Sequence, residues 1–115
     1  MKAIIQKVEL RIINAIWKKH KPQGLGFSDT DVIIVTLKTT DGKMFDQDFY
    51  CRLKADGTLG HSLTKASEKR QKNVFNLIRK YISKEERYNI RENINQWKGK
   101  EVNMEELDGG YSIKL

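Results

Sequence analysis

The stretch from Asp31 to Arg52, DVIIVTLKTTDGKMFDQDFYCR, constrains this chain more than any other part of it. Apolar residues recur at every second position on both sides of Asp41-Gly42, the period of a strand whose side chains alternate between two faces. Two such runs joined through Asp-Gly read as a hairpin, and the side chains decide its register. A two-residue turn on Asp41-Gly42 sets Leu37 opposite Asp46 and Val35 opposite Asp48, which puts carboxylates on the apolar face. A three-residue loop, Thr40-Asp41-Gly42, sets Leu37 opposite Phe45, Val35 opposite Gln47 and Ile33 opposite Phe49. It also lands Gly42 at the left-handed position that a type I turn plus G1 bulge requires. The second register is therefore expected. It sends Ile33, Val35, Leu37, Phe45, Phe49 and Cys51 inward and leaves Val32, Ile34, Thr36, Lys38, Met44, Asp46, Asp48, Tyr50 and Arg52 outward.

Upstream, KVELRIINAIWKK alternates at Val8, Leu10 and Ile12 and reads as a first strand. Ile12-Ile13 breaks the alternation, as a bulge there or cover on both faces would. HKPQGLGFSDTD is a loop with a basic stem, Lys18, Lys19, His20 and Lys21. After a second loop, ADGTLGHSLT, the segment KASEKRQKNVFNLIRKYI carries Val74, Ile78, Tyr81 and Ile82 on one helical stripe, flanked by Phe75 and Leu77. SKEE at Ser83 to Glu86 matches a capping box, so a second short helix is expected from there toward Gln96, with Ile90 and Ile94 inside. Trp97 is placed at its end, covering the barrel's end, and Gly99 lets the chain swing into strand four. Val102 and Met104, then Tyr111, Ile113 and Leu115, mark two last strands around Asp108-Gly109-Gly110.

The resulting order, β-β-β-α-α-β-β, is mainly β with helices. It is the order of the OB fold, a five-stranded Greek-key barrel with one or two helices between strands 3 and 4. An open α+β sheet or another small barrel are the alternatives. The absence of βαβ repeats argues against a doubly wound parallel sheet. The length, 115 residues, suits a single domain spanning 1–115.

Charge narrows the partners. Lys and Arg total 22 against 15 Asp and Glu, a net charge of +7. Residues 1–26 hold six basic and one acidic side chain, and residues 61–100 hold eleven basic and four acidic. Such clustering suits a polyanion. Cys51 is the lone cysteine, and His20 and His61 have no neighbouring ligand, so neither an internal disulfide nor a zinc site is expected, and no cofactor. Apolar runs such as Val32–Val35 fall far short of the roughly 20 residues a membrane span needs. The N-terminal MKAIIQKVEL lacks the apolar core of a signal peptide, so a cytoplasmic protein is expected, in the host cytoplasm if viral.

An enzyme is not expected: no nucleophile-base arrangement and no phosphate-binding glycine spacing is present. Asp46 and Asp48 share a strand face and could hold Mg²⁺. A nuclease would need further carboxylates converging there, drawn from Asp29, Asp31 or Asp41, and a Lys or His. No small-molecule substrate is expected.

OB barrels meet oligonucleotides on the outer face of strands two and three and on the loops joining strands one to two and four to five. Here that surface holds Lys38, Met44, Tyr50 and Arg52, the loop from Lys18 to Thr30, and Asp108 to Gly110. Trp17, Phe27 and Tyr50 are candidates to stack bases, and Lys18, Lys19, Lys21, Lys38 and Arg52 to meet phosphates. Lys65, Lys69, Arg70 and Lys72 form a second basic surface on the helix. The expected function is binding of single-stranded nucleic acid, DNA before RNA, without strong sequence preference. Asp46 and Asp48 repel phosphate, so the strand path is expected toward Tyr50 and Arg52. The alternative is a protein-interaction module, such as a viral factor docking on a host nucleoprotein, or a homodimer. It would use an exposed strip of Val32, Ile34, Met44 and Tyr50.

KVEL, TLKTTDGKMFDQDFY and WKGKEVNM…GGYSIKL resemble the small OB-fold single-stranded-DNA-binding proteins of phages and archaea. In many of these a hydrophobic residue, then Gly-Lys, opens the fourth strand; Trp97, Gly99, Lys100 and Val102 stand at the matching positions. The resemblance implies an OB barrel that binds single strands. Asp46 and Asp48 depart from it, since that sheet is often rich in aromatics.

Overall fold

The computed structural model describes residues 1–13, 29–61, 65–107 and 109–115. Strands β1 (Lys2–Ile12), β2 (Asp31–Thr39), β3 (Met44–Cys51), β4 (Glu101–Leu107) and β5 (Gly110–Ile113) lie in the order β3-β2-β1-β4-β5. All pairings are antiparallel.

The β2–β3 hairpin takes the three-residue loop. Ile33 pairs with Phe49, Val35 with Gln47 and Leu37 with Phe45. Thr39 N–H donates to Lys43 O at 2.8 Å, Gly42 N–H donates to Thr39 O at 3.0 Å, and Gly42 sits at φ +90°. Ile33, Val35, Leu37, Phe49 and Cys51 are buried, and Phe45 packs against them.

β1 is long enough to join both halves of the sheet. It pairs with β2 along its length and with β4 through Lys2, Ala3 and Ile4. A register shift between Ile5 and Lys7 leaves Gln6 as a bulge. The bulge switches the parity of the strand. Ala3 and Ile5 face the core before it, and Val8 and Leu10 face the core after it. The irregularity thus lies earlier than Ile12-Ile13, where the sequence pattern suggested it. Ile12 is exposed, and Ile13 is buried but outside the main core cluster.

The free edges, β3 and β5, meet through one side chain. Gln47 Nε2 donates to Ser112 Oγ at 2.9 Å, and Ile113 N–H donates to Gln47 Oε1 at 2.9 Å. The sheet is thereby a nearly closed, OB-like barrel.

Between β3 and β4 lie α1 (Lys65–Leu77), a π-helical turn (Ile78–Ile82) and the short α2 (Ile90–Asn93), which tightens into a 3₁₀ turn, Ile94–Trp97. Val74, Leu77, Ile78, Ile90 and Trp97 plug the barrel. Each fully buried aliphatic side chain contributes about 1.5–3 kcal/mol. Trp97 is wholly buried, and its Nε1 donates to Tyr88 Oη at 3.0 Å. Gly99 (φ +89°) turns the chain into β4: its N–H donates to Ile5 O, and Ile5 N–H donates to Lys100 O. Val102 and Met104 then enter the core.

The expected capping box at Ser83 is not a helix start. Ser83 is extended, ends the π turn through its N–H to Ile78 O, and accepts from Glu85 N–H. The cap lies at Asn89, whose Oδ1 accepts from Glu92 N–H at 3.1 Å. Two contacts distant in sequence decide this. Tyr88 is buried against Trp97, and Asn89 Nδ2 donates to Asp56 O, which holds residues 83–88 out of helix.

Candidate nucleic-acid interface

The register of β1, β2 and β3 orders the outward face into cross-strand rows. Ile4, Lys38 and Met44 form the first, Lys7, Thr36 and Asp46 the second, Glu9, Ile34 and Asp48 the third, and Arg11, Val32 and Tyr50 the fourth. Arg52 follows two residues beyond Tyr50. Its backbone is gripped by α1: Arg52 N–H donates to Gln71 Oε1 and Gln71 Nε2 donates to Arg52 O, both at 2.8 Å.

The rows differ in charge. In the middle, Asp46 accepts from Thr36 Oγ1 at 2.7 Å. Desolvation, and then the neighbouring Asp46 carboxylate, raise the Asp48 carboxyl above its ordinary value. Along β1, Glu9 is bracketed by Lys7 and Arg11 and held below the usual carboxylate range, chiefly by its hydrogen bond to Lys7. The face is acidic at its centre and carries Arg11 and Arg52 at one end.

The register sets Tyr50 in one row with Arg11, which sequence reasoning did not select, and Arg52 follows Tyr50 by two residues along the chain. The signal was present: Arg11 occupies an outward position between Leu10 and Ile12. Lys38 stands at the other end of the face, about 20 Å away along the strand at 3.3 Å per residue. Lys69 and Lys72 are exposed on α1. Trp17, Lys18, Lys19, Lys21 and Phe27 lie outside the described residues.

The expected apolar strip does not form. Val32 is 2% exposed, Ile34 and Tyr50 are half-buried, and Met44 alone stands open. Val32 and Ile13 are buried apart from the main core. Strand period assigns Val32 to the outer face but does not encode what covers the end of that face.

The remaining candidate carboxylates, Asp29, Asp31 and Asp41, each have a side-chain partner. Asp41 receives a hydrogen bond from Thr39 Oγ1, which lowers its carboxyl below the ordinary value. Asp29 and Asp31 are buried at the start of β2. Arg70 Nη2 donates to Asp29 Oδ2 at 2.5 Å, and Thr30 Oγ1 donates to Asp31 Oδ1 at 2.6 Å, with Arg91 Nη2 at 3.5 Å from the same oxygen. Among the described residues, no three His, Cys, Asp or Glu side chains converge as metal ligands. No helix among them is long and apolar enough to cross a membrane.

Comparisons with protein-family models, with curated proteins and with solved structures gave no match. The OB-like assignment stands on strand order, the shared strand β1 and the Gln47 seam.

Proposed function

We propose that this protein binds single-stranded nucleic acid at the Arg11–Tyr50–Arg52 end of its barrel, without strong sequence preference. One observation supports this most. The register sets Arg11 and Tyr50 in one row, with Arg52 two residues on, at the end of the sheet from which residues 13–30 depart. That segment carries Trp17, Lys18, Lys19, Lys21 and Phe27. Cations and a planar side chain, as Arg11, Arg52 and Tyr50 supply, meet the two needs of single-strand binding, phosphate neutralisation and base stacking. The acidic centre made by Asp46 and Asp48 steers the phosphates away from the rest of the face. DNA is preferred as the first substrate to test.

Fluorescence anisotropy with labelled single-stranded and duplex oligonucleotides across a salt series tests this. Single strands should bind more tightly, with affinity falling steeply as salt rises. Arg52→Ala and Arg11→Ala should each lower the salt slope by about 0.7 for every phosphate left unneutralised. Tyr50→Ala should weaken binding by about 1–3 kcal/mol at all salt concentrations if a base stacks there. No single-strand binding at low salt overturns the proposal, and equal binding to duplex reduces it to nonspecific charge attraction.

A further inference from the structure

A cleft of about 800 Å³ opens between the helices and the turn that follows β3. One wall is a helical face carrying Lys72, Phe75 and Arg79. The Arg79 guanidinium lies 5.2 Å over the Phe75 ring, and its Nη1 donates to Lys84 O at 2.7 Å. That bond brings Glu85 and Glu86 to the Arg79 end, so Phe75 stands between Lys72 on one side and two glutamates on the other. Phe75 is 45% exposed. Among the described residues, Lys72, Glu85, Glu86 and Arg87 form no ion pair.

The charge pattern selects the occupant. The lining holds as many acidic as basic side chains, in a molecule whose net charge is +7. A polyanion gains no net attraction there. A wholly apolar partner would strand the charges, whose desolvation without pairing is costly. We propose that the cleft binds an extended segment of a partner polypeptide. It seats an apolar side chain on Phe75, an acidic one against Lys72 and a basic one against Glu85 and Glu86. Seven residues separate Lys72 from Arg79, about 10 Å of helix at 1.5 Å per residue. An acidic, apolar, basic pattern at alternate positions of an extended chain spans four residue steps, about 13 Å, enough to reach from Lys72 over Phe75 to the Arg79 end.

The test is a titration of the ¹⁵N-labelled full chain with blocked peptides Asp-Gly-Leu-Gly-Arg and Arg-Gly-Leu-Gly-Asp, which present the pattern in both chain directions. One of the two should give saturable amide shifts at Phe75, Arg79, Glu85 and Glu86. Phe75→Ala, and Glu85→Lys with Glu86→Lys, should each weaken binding about tenfold, equivalent to about 1.4 kcal/mol. The charge-reversed variant should in turn bind Asp-Gly-Leu-Gly-Asp better than the parent does, a gain that misfolding cannot produce. Three results would overturn the proposal: no saturable shift with either peptide, unchanged binding when Ser replaces Leu, or an oligothymidylate shifting these same amides.

Discussion

Gly42 and Gly57 share a left-handed backbone, φ +90° and +91°, yet a methyl group meets different surroundings at each. A Cβ at Gly42 has nothing within 4 Å, so Gly42→Ala should cost only the left-handed penalty, about 1–2 kcal/mol. A Cβ at Gly57 would lie 2.4 Å from Asn89 Oδ1, the atom that caps α2. Gly57→Ala should therefore cost about 1 kcal/mol more, the usual worth of an N-cap. Urea midpoints of the two variants check this, and equal losses would show that the cap survives. Cys51 makes a second prediction at this scale. Burial first, then the Asp31 and Asp29 carboxylates, push its thiol up to about 12. In the unfolded chain a thiol titrates near ~8.5. The folded value is the higher, so above ~8.5 the unfolded chain has released a proton that the native state keeps, and stability falls as pH rises toward 12. The slope approaches about 1.4 kcal/mol per pH unit. Unfolding free energies between pH 9 and 11 should fall less steeply in Cys51→Val. A thiol reagent at pH 8 should label the parent only as it unfolds.

At the scale of elements, the β3–β5 seam is the weakest joint of the barrel, because one side chain replaces a backbone ladder. Gln47→Ala removes both of its hydrogen bonds and leaves Ile113 N–H without that acceptor. Each bond contributes about 0.5–1.5 kcal/mol net. The loss should appear first as faster amide hydrogen exchange in β5, with β1 and β2 unchanged; uniform acceleration across all strands would refute a local seam. The elements differ in how legible they were. The hairpin register could be read because carboxylates and apolar residues alternate within twenty-odd neighbouring positions, and only one pairing keeps Asp46 and Asp48 off the apolar face. The start of α2 could not. Ser83-Lys-Glu-Glu and Asn89-Ile-Arg-Glu both look like caps, and the choice is made by Tyr88 on Trp97 and Asn89 on Asp56. The bulge at Gln6 was hidden for a related reason: its sign is a change of parity, and Ala3 is too small to mark the earlier phase.

Across the whole molecule, two buried aspartates tie the start of β2 to the helices. Asp29 has a side chain 1% exposed against Arg70, with Oδ1 lacking a hydrogen-bond partner among the described residues, and Asp31 faces Arg91. Removing one member of a buried pair strands the other, so Arg70→Ala should cost about 3–5 kcal/mol. Replacing both, Asp29→Leu with Arg70→Met, should cost far less, since neither charge of that pair is then left without its partner. Chemical denaturation of the single and double variants decides it; a double variant no more stable than Arg70→Ala would show that the charges are not what matters there. Of the candidate interface, Tyr50 and Arg52 were legible from alternation, and Arg11 was available from the same rule. The cover over Val32 and the cleft beside Phe75 were not, because each depends on which remote segments meet. By itself the sequence determined the strand and helix order, the hairpin register and the excess of positive charge, all set by spacing between near neighbours. Only the tertiary structure decided the Gln47 seam, the burial of Asp29 and Asp31, the true cap of α2 and the mixed-charge cleft. These join positions tens of residues apart, and no local periodicity encodes such contacts.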